Sequence, residues 1–107
     1  MIIAFDVDDT LIVPAVATGL DRDTPNYENI AAYKWFQAQG HTMWIWSGGG
    51  ADYARTWANK LGLTADLILA KTTEHKNIVD ISIDDCIVDL ARVNLRVRRI
   101  NNQRKRQ

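Results

Sequence analysis

Acidic residues form two clusters in the sequence, and each cluster directly follows a strand-like segment. Residues 6–10 read DVDDT after segment 2–5, and Asp84 and Asp85 follow segment 79–83. Residues two apart in an extended chain point to the same side, so Asp6 and Asp8 would face one ligand together. Carboxylates paired in this way can transfer protons, attack an electrophile or hold a metal ion.

A hydroxyl group and three glycines follow a third strand-like segment. Ser47 and residues 48–50 (GGG) come directly after residues 42–46 (TMWIW). Glycine lets the backbone approach a ligand closely, and the serine hydroxyl can donate a hydrogen bond to that ligand. If these segments are neighbouring parallel strands, their carboxyl ends bring the acids and Ser47 to one edge of a sheet.

Five carboxylates at one edge of a sheet need a compensating charge; they are Asp6, Asp8, Asp9, Asp84 and Asp85. Each like-charge pair at ~4 Å costs roughly 1 kcal/mol in bulk water and about 4 kcal/mol at an effective dielectric constant of 20. Either the pKa values of these groups rise or a cation lies among them. Oxygen donors favour Mg²⁺ over zinc, and Mg²⁺ usually keeps phosphate oxygens as further ligands. The cluster therefore predicts a magnesium site that binds a phosphorylated ligand.

Strand-like and helix-like patterns alternate along the chain. The predicted strands cover residues 2–7, 42–46, 66–70, 79–83 and 95–100. The predicted helices cover residues 26–39 and a segment that Asp52 caps and Gly62 ends, and a short helical turn is expected over 86–92. Near-continuous apolar runs in the first three strands are typical of parallel strands. This order predicts an α/β fold, a three-layer doubly wound (Rossmann-like) sheet of about five mainly parallel strands.

Four short motifs, in this order along the chain, resemble those of the haloacid dehalogenase-like superfamily of aspartate-nucleophile phosphatases. They are residues 6–11 (DVDDTL, the DxDxT pattern), Ser47 followed by Gly48, a lysine, and the pair Asp84-Asp85. The resemblance covers most of residues 1–100, and it implies one catalytic domain without a cap domain. Only segments 12–26 and 48–65 could hold an inserted cap, and a predicted helix fills the second. We therefore expect only a short flap at residues 12–26, with Thr18-Gly19 as a turn between two short strands.

The resemblance implies a role for each motif residue. Asp6 would attack phosphorus and form an aspartyl phosphate, and Asp8 would act as general acid and then general base. The implied Mg²⁺ ligands are Asp6, Asp8 through its backbone carbonyl, Asp84 and, in support, Asp85. The implied phosphate-binding groups are Thr10 (which also braces the loop), Ser47, the Gly48 amide and the lysine.

One position departs from the family pattern, and the assignment of the motif lysine is ambiguous. Asp9 stands where family members often have glycine, and it adds negative charge beside the site. The lysine is either Lys76, eight residues before Asp84, or Lys71, which directly ends the third predicted strand. The spacing favours Lys76. Cys86 is expected to be a small buried residue and not a nucleophile.

The net charge of zero conceals an asymmetry along the 107 residues. Residues 1–91 hold all 13 acids and six of the 13 bases, whereas residues 92–107 hold the other seven bases and no acid. We expect residues 101–107 to be a solvated, disordered tail, with nucleic acid as a candidate partner. The single cysteine and the absence of a signal-peptide pattern predict a cytoplasmic protein. No apolar run reaches the roughly 20 residues of a membrane span, and an open site is compatible with a homo-oligomer.

The leading prediction is a Mg²⁺-dependent phosphomonoester hydrolase. The alternative is a non-catalytic module that binds phosphate, metal or nucleic acid on the same scaffold. A response-regulator receiver also clusters acids near a lysine, but it would place its phospho-acceptor where this chain has Ala70 and Lys71.

Overall fold

A computed structural model describes residues 1–100 of the chain. In chain order the elements are β1 (Ile2–Asp6), β2 (Ile12–Val13), α1 (Ala15–Thr18), β3 (Thr24–Pro25), α2 (Tyr27–Ala38), β4 (Thr42–Ser47), α3 (Ala51–Leu61), β5 (Leu67–Ala70), a 3₁₀ turn (Thr73–His75), β6 (Ile81–Asp84) and β7 (Val93–Arg96). The prediction for the basic tail falls on residues 101–107, which lie outside the described residues. No helix among residues 1–100 is long and apolar enough to cross a membrane.

Five of the strands form one parallel sheet in the order β5-β4-β1-β6-β7. The prediction of an α/β fold around a five-stranded parallel sheet is therefore confirmed. The order places β1 at the centre, with β4 and β6 as its neighbours. Because Phe5 pairs with Ile83 and Asp6 pairs with Trp46, the ends of these three strands lie at the same level.

Alternating residues of the central strands pack into two separate cores. On the helical side, Phe5 and Ile45 belong to a cluster that includes Tyr33 of α2 and Ala58 of α3. On the other side, Trp44 and Trp46 pack with residues of the segments before β6 and before β7, namely Val79, Leu90 and Ala91. In the described residues this second face is covered by the 3₁₀ turn and irregular chain, not by an α-helix.

Three local predictions differ from the structure. The last strand is Val93–Arg96 and not 95–100, because its partner β6 ends at Asp84 and offers no further backbone to pair with. Segment 86–92 forms no helix, because the Asn94 side chain accepts hydrogen bonds from the Leu90 and Ala91 amides and holds that segment as a loop. Gly50 and not Asp52 is the N-cap of α3, since the chain enters the helix with a φ of 107°, which favours glycine.

The flap predicted at residues 12–26 contains two short strands, as expected, but also a short helix between them. Strand β2 pairs antiparallel with β3, and α1 ends at Gly19, whose φ is 77°. The Asp23 carboxylate accepts a hydrogen bond from the Ala15 amide and closes this segment on itself. Asn26 then caps α2 by accepting from the Asn29 amide.

Candidate active site

The carboxyl ends of β1, β5 and β6 bring an acid, a lysine and a second acid into direct contact. Lys71, which directly follows β5, lies 2.9 Å from the Asp6 carboxylate and 2.8 Å from that of Asp84. Asp6 and Asp84 are buried, with exposed fractions of 4% and 0%. A parallel sheet explains the contact, since every strand delivers its last residue to the same edge.

Burial and charge alter the protonation of these groups. Burial raises the pKa of Asp6 to about 7, although the hydrogen bond from Lys71 acts to lower it. The nearby charge of Asp84 also raises this pKa. Burial alone would lower the pKa of Lys71, but the hydrogen bonds to Asp84 and Asp6 outweigh it and hold that pKa above its ordinary value. The lysine is therefore a permanent cation, whereas Asp6 can be neutral or charged near neutral pH.

A tight turn after β1 holds the rest of the first motif. The Val7 carbonyl accepts hydrogen bonds from the amides of Thr10 and of the next two residues. The Thr10 hydroxyl donates to Asp6 at 3.3 Å, so Thr10 braces the carboxylate. Asp9 has a φ of 63°, in the left-handed region that favours glycine, which gives a physical reason for the glycine of the family pattern. Aspartate is among the residues that tolerate this conformation.

Asp8 lies at the rim of the site and is oriented by a tyrosine. The Tyr53 hydroxyl, on α3, donates a hydrogen bond of 2.6 Å to the Asp8 carboxylate. Burial raises the pKa of Tyr53 to about 12, and this hydrogen bond adds to the shift, so the phenol keeps its proton. The Tyr53 ring also packs on the glycine loop, where a Cβ at Gly49 would lie 3.2 Å from it.

The second motif lies next to the carboxylates at the end of β4. Ser47 is buried, and its hydroxyl oxygen accepts a hydrogen bond from the Gly49 amide at 3.0 Å. Its backbone carbonyl accepts from the amides of Gly50 and Lys71, which joins the glycine loop to the end of β5. The Ser47 hydroxyl hydrogen remains available to a ligand, and Gly48 is exposed at the cleft.

Asp85 has a cation of its own. The Arg99 guanidinium donates to one Asp85 oxygen from two nitrogens, at 3.0 and 2.7 Å. Burial alone would raise the pKa of Asp85, but the hydrogen bonds from Arg99 outweigh it and hold that pKa below its usual range. Arg96 also donates to the Asp85 backbone carbonyl at 3.0 Å. Asp85 is thus buried as a carboxylate and fixed from two directions.

Cys86 is exposed at the cleft and not buried as predicted, because the chain turns outward after Asp85. Burial and the charges of Asp85 and Asp84 raise the pKa of its thiol. A protonated thiol is a weak nucleophile and a weak metal ligand, which agrees with the expectation that Cys86 does no chemistry.

The structure places Lys71, the alternative lysine, in the cleft, and it places Lys76 elsewhere. Lys76 is exposed and forms an ion pair of 2.6 Å with Asp89. The reason is topological: Lys71 is the first residue after β5 and stays at the sheet edge, whereas Lys76 follows the 3₁₀ turn, past that edge. The preference for Lys76 rested on spacing to Asp84, which ignores the path of the chain.

These groups line a cleft with a volume of about 290 Å³; its lining residues are Asp6, Asp8, Asp9, Ser47, Gly48, Gly49, Lys71, Asp85, Cys86 and Arg99. Sequence reasoning missed Tyr53 and Arg99 as site residues. Tyr53 carried a usable signal, since it lies one helical turn into the segment after the glycines. Arg99 carried no such sequence signal, because its contact with Asp85 depends on the path of the chain after β7.

The donor set fits a hard divalent cation. Asp6, Asp84 and Asp85 are three buried carboxyl groups beside two cations, Lys71 and Arg99, so one negative charge is left over when Asp6 is ionised. Carboxylate oxygens are ligands that Mg²⁺ prefers, and histidine is not among the residues lining the cleft. A cluster of Asp84, Asp85 and Cys86 has donor atoms within 4.8 Å of one another, but the protonated thiol makes Cys86 the weakest of the three.

Comparisons of the chain with protein-family models, with curated proteins and with solved structures found no match.

Proposed function

We propose that this protein is a Mg²⁺-dependent phosphomonoester hydrolase that works through an aspartyl phosphate on Asp6. The observation that carries the proposal is the contact of Lys71 with both Asp6 and the buried Asp84, since Lys71 and Asp6 line an open cleft. This arrangement gives one edge of the sheet a nucleophile, a fixed cation for the phosphoryl group and carboxylates for a metal ion.

In this proposal Asp6 attacks phosphorus and its carboxylate oxygen forms the new bond, while the bond from phosphorus to the leaving oxygen breaks. Asp8 protonates that oxygen, and it later takes a proton from the water that hydrolyses the acyl phosphate. The Tyr53 hydrogen bond fixes the direction of the Asp8 carboxyl during both transfers. Attack requires that Asp6 is ionised, and burial raises the pKa of Asp6 to about 7. A cation that approaches Asp6 lowers this pKa and favours the ionised form.

The phosphoryl oxygens would be bound by the Ser47 hydroxyl, the Gly48 amide and the Lys71 ammonium, as donors arranged before the reaction. Asp6, the Asp8 backbone carbonyl, Asp84 and Asp85 would hold Mg²⁺. When bound, Mg²⁺ polarises a phosphoryl oxygen and offsets the charge of the carboxylates.

The test is hydrolysis of p-nitrophenyl phosphate at pH 7 by the full chain with Mg²⁺, repeated with excess EDTA. Asp6→Asn is expected to lower kcat/KM by at least about a thousandfold. Asp21→Asn is the matched control, because Asp21 is 89% exposed and pairs only with its neighbour Arg22. Activity that survives EDTA or Asp6→Asn would overturn the proposal.

A second measurement tests the intermediate directly. Protein quenched in acid during turnover of a ³²P-labelled substrate should retain label that hydroxylamine releases, and Asp6→Asn protein should retain none. Binding of phosphate without turnover would instead favour the non-catalytic module.

A further inference from the structure

The basic residues of this chain are concentrated towards its carboxyl end. Residues 92–107 contain six arginines, one lysine and no acid, whereas residues 1–91 contain all 13 acids and six bases. Within the described part of that segment, each of the four arginines is exposed; they are Arg92, Arg96, Arg98 and Arg99. The basic segment, as we call residues 92–99, therefore presents these four arginines to solvent.

Two of these arginines are fixed beside the proposed catalytic groups. Arg99 lines the cleft together with Asp6 and Lys71, and its side chain is 37% exposed although it binds Asp85. Arg96 reaches the Asp85 backbone from the end of β7. A phosphate bound in the cleft beside Lys71 would thus have the Arg99 guanidinium at its side as well.

The other two arginines extend the charge away from the cleft. Arg98 lines a separate hollow of about 160 Å³ at the start of α2, where Glu28 opposes part of its charge. Arg92 donates to the Asn77 carbonyl at the opposite end of β7. Arg96 ends the edge strand β7, and Arg98 and Arg99 follow it, so three arginines lie close together in sequence where the chain leaves the sheet. No further strand pairs with β7 within the described residues.

We infer that the cleft acts on the phosphorylated end of a nucleic-acid strand, and that the arginines of the basic segment bind the phosphates that follow. This inference rests on the proposed function and names its substrate class. Arginine matches phosphate with planar, paired donors, and all four bases of the basic segment are arginine.

A nucleic acid fits this surface better than a phosphoprotein does. Each nucleotide adds one negative charge at a regular interval, so a row of arginines gains a contact with every step. A phosphopeptide has one phosphate and a variable sequence around it, and a row of cations beside the cleft gains little from it. The flap is only two short strands and a four-residue helix, which leaves room for a long substrate.

The experiment compares kcat/KM at 50 mM salt for four kinds of substrate: ten-nucleotide thymidine strands phosphorylated at the 3′ or the 5′ end, the matching thymidine monophosphates, p-nitrophenyl phosphate and a phosphopeptide. We expect the better oligonucleotide to exceed its mononucleotide at least tenfold. Three arginine–phosphate contacts at ~0.7 each predict a slope of log kcat/KM against log salt of about −2 or steeper. Equal values for oligonucleotide and mononucleotide, or a phosphopeptide that exceeds both, would overturn the inference.

The double variant Arg96→Gln/Arg98→Gln tests the assigned residues. The ratio of kcat/KM for the oligonucleotide to that for p-nitrophenyl phosphate should fall at least tenfold, and the salt slope should become shallower by about 1.4. Lys60→Gln is the matched control, because Lys60 lies in the last turn of α3, roughly 14 Å along the helix from its first residue. A ratio that falls equally in both variants would contradict the assignment.

Binding separates this inference from the proposed function. Fluorescence anisotropy with a labelled oligonucleotide and Asp6→Asn protein needs no turnover, and Arg96→Gln/Arg98→Gln should weaken that binding about tenfold. Hydrolysis of p-nitrophenyl phosphate without salt-dependent oligonucleotide binding would refute only the substrate class. Oligonucleotide binding without any hydrolysis would refute the proposed function and leave the binding surface standing.

Discussion

The Lys71 ammonium lies 2.9 Å from the Asp6 carboxylate, although their strands are not neighbours in the sheet. Strand β4 runs between them and ends at Ser47, so the lysine must reach across the end of β4. The Ser47 carbonyl accepts a hydrogen bond from the Lys71 amide, which fixes the backbone of Lys71 beside the end of β4. The ion pair is therefore a product of sheet order as much as of side-chain chemistry.

The two candidate lysines should behave differently. Lys71→Met is expected to lower kcat/KM for p-nitrophenyl phosphate by about a hundredfold to a thousandfold, because it removes a cation next to the phosphoryl group. Lys76→Met should change it less than twofold, since Lys76 pairs with Asp89 at the surface. The measurement is steady-state kinetics of both variants. The reverse pattern would return the role to Lys76.

Asp6→Asn should stabilise the metal-free protein. The folded-state pKa of Asp6, raised to about 7 from 3.8, means that the folded state loses stability as pH rises through this window. Asparagine avoids that loss. We expect a gain on the order of 2 kcal/mol at pH 8 and a smaller gain at pH 5, measured by urea unfolding in EDTA.

The control for that measurement is Asp21→Asn, whose free energy of unfolding should match wild type at both pH values. A loss of stability in Asp6→Asn at pH 8, or a gain that does not depend on pH, would show that the ion pair with Lys71 outweighs the cost of burying Asp6.

Tyr53→Phe should affect the chemical step more than binding. The variant keeps the ring that packs on Gly49 but removes the hydrogen bond that orients Asp8. We expect kcat to fall about tenfold with KM nearly unchanged, within the range of general acid–base effects. Tyr27→Phe, which changes a tyrosine that is 75% exposed, should leave both constants at wild-type values. A rise in KM alone would assign Tyr53 to substrate binding.

Tyr33→Phe should change stability at alkaline pH. Burial raises the pKa of Tyr33 well above the ordinary 10, and its hydroxyl donates to the Thr64 carbonyl at 2.6 Å. Wild-type stability therefore falls above pH 10, where the unfolded tyrosine ionises and the folded one does not. The variant should lose about 1 kcal/mol at pH 7 and show a shallower decline from pH 9.5 to 11. Parallel pH curves for the two proteins would refute the linkage.

Much of the sheet could be predicted from the sequence because buried parallel strands have a strong local signature. The strands at residues 2–7, 42–46 and 66–70 were located to within one or two residues, since each apolar run ends at a polar residue, namely Asp6, Ser47 and Lys71. Elements without such a signature were predicted wrongly. Segment 86–92 has a helix-like pattern, but Asn94 binds its amides and no local propensity reveals that contact.

The acids of the site were predicted as a group, whereas their partners were not. Strand ends determine where Asp6 and Asp84 lie, and a sequence shows where strands end. Lys71 reaches those acids across the end of β4, and Arg99 reaches Asp85 after the chain has left β7, so their positions depend on strand order and chain path, which the sequence does not state. The sequence alone therefore could not decide whether Lys71 or Lys76 lies beside Asp6, because that decision depends on the strand order.

The uneven covering of the sheet has a consequence for motion. On the face without helices, the segment before β6 and the segment before β7 are joined to each other by the Lys76–Asp89 ion pair and by the bond from Arg92 to Asn77. Both segments lead straight into the strands that carry Asp84 and Arg96. Amide protons there should exchange with solvent sooner than those of α2, and each brief opening would loosen one wall of the cleft while leaving the other rigid.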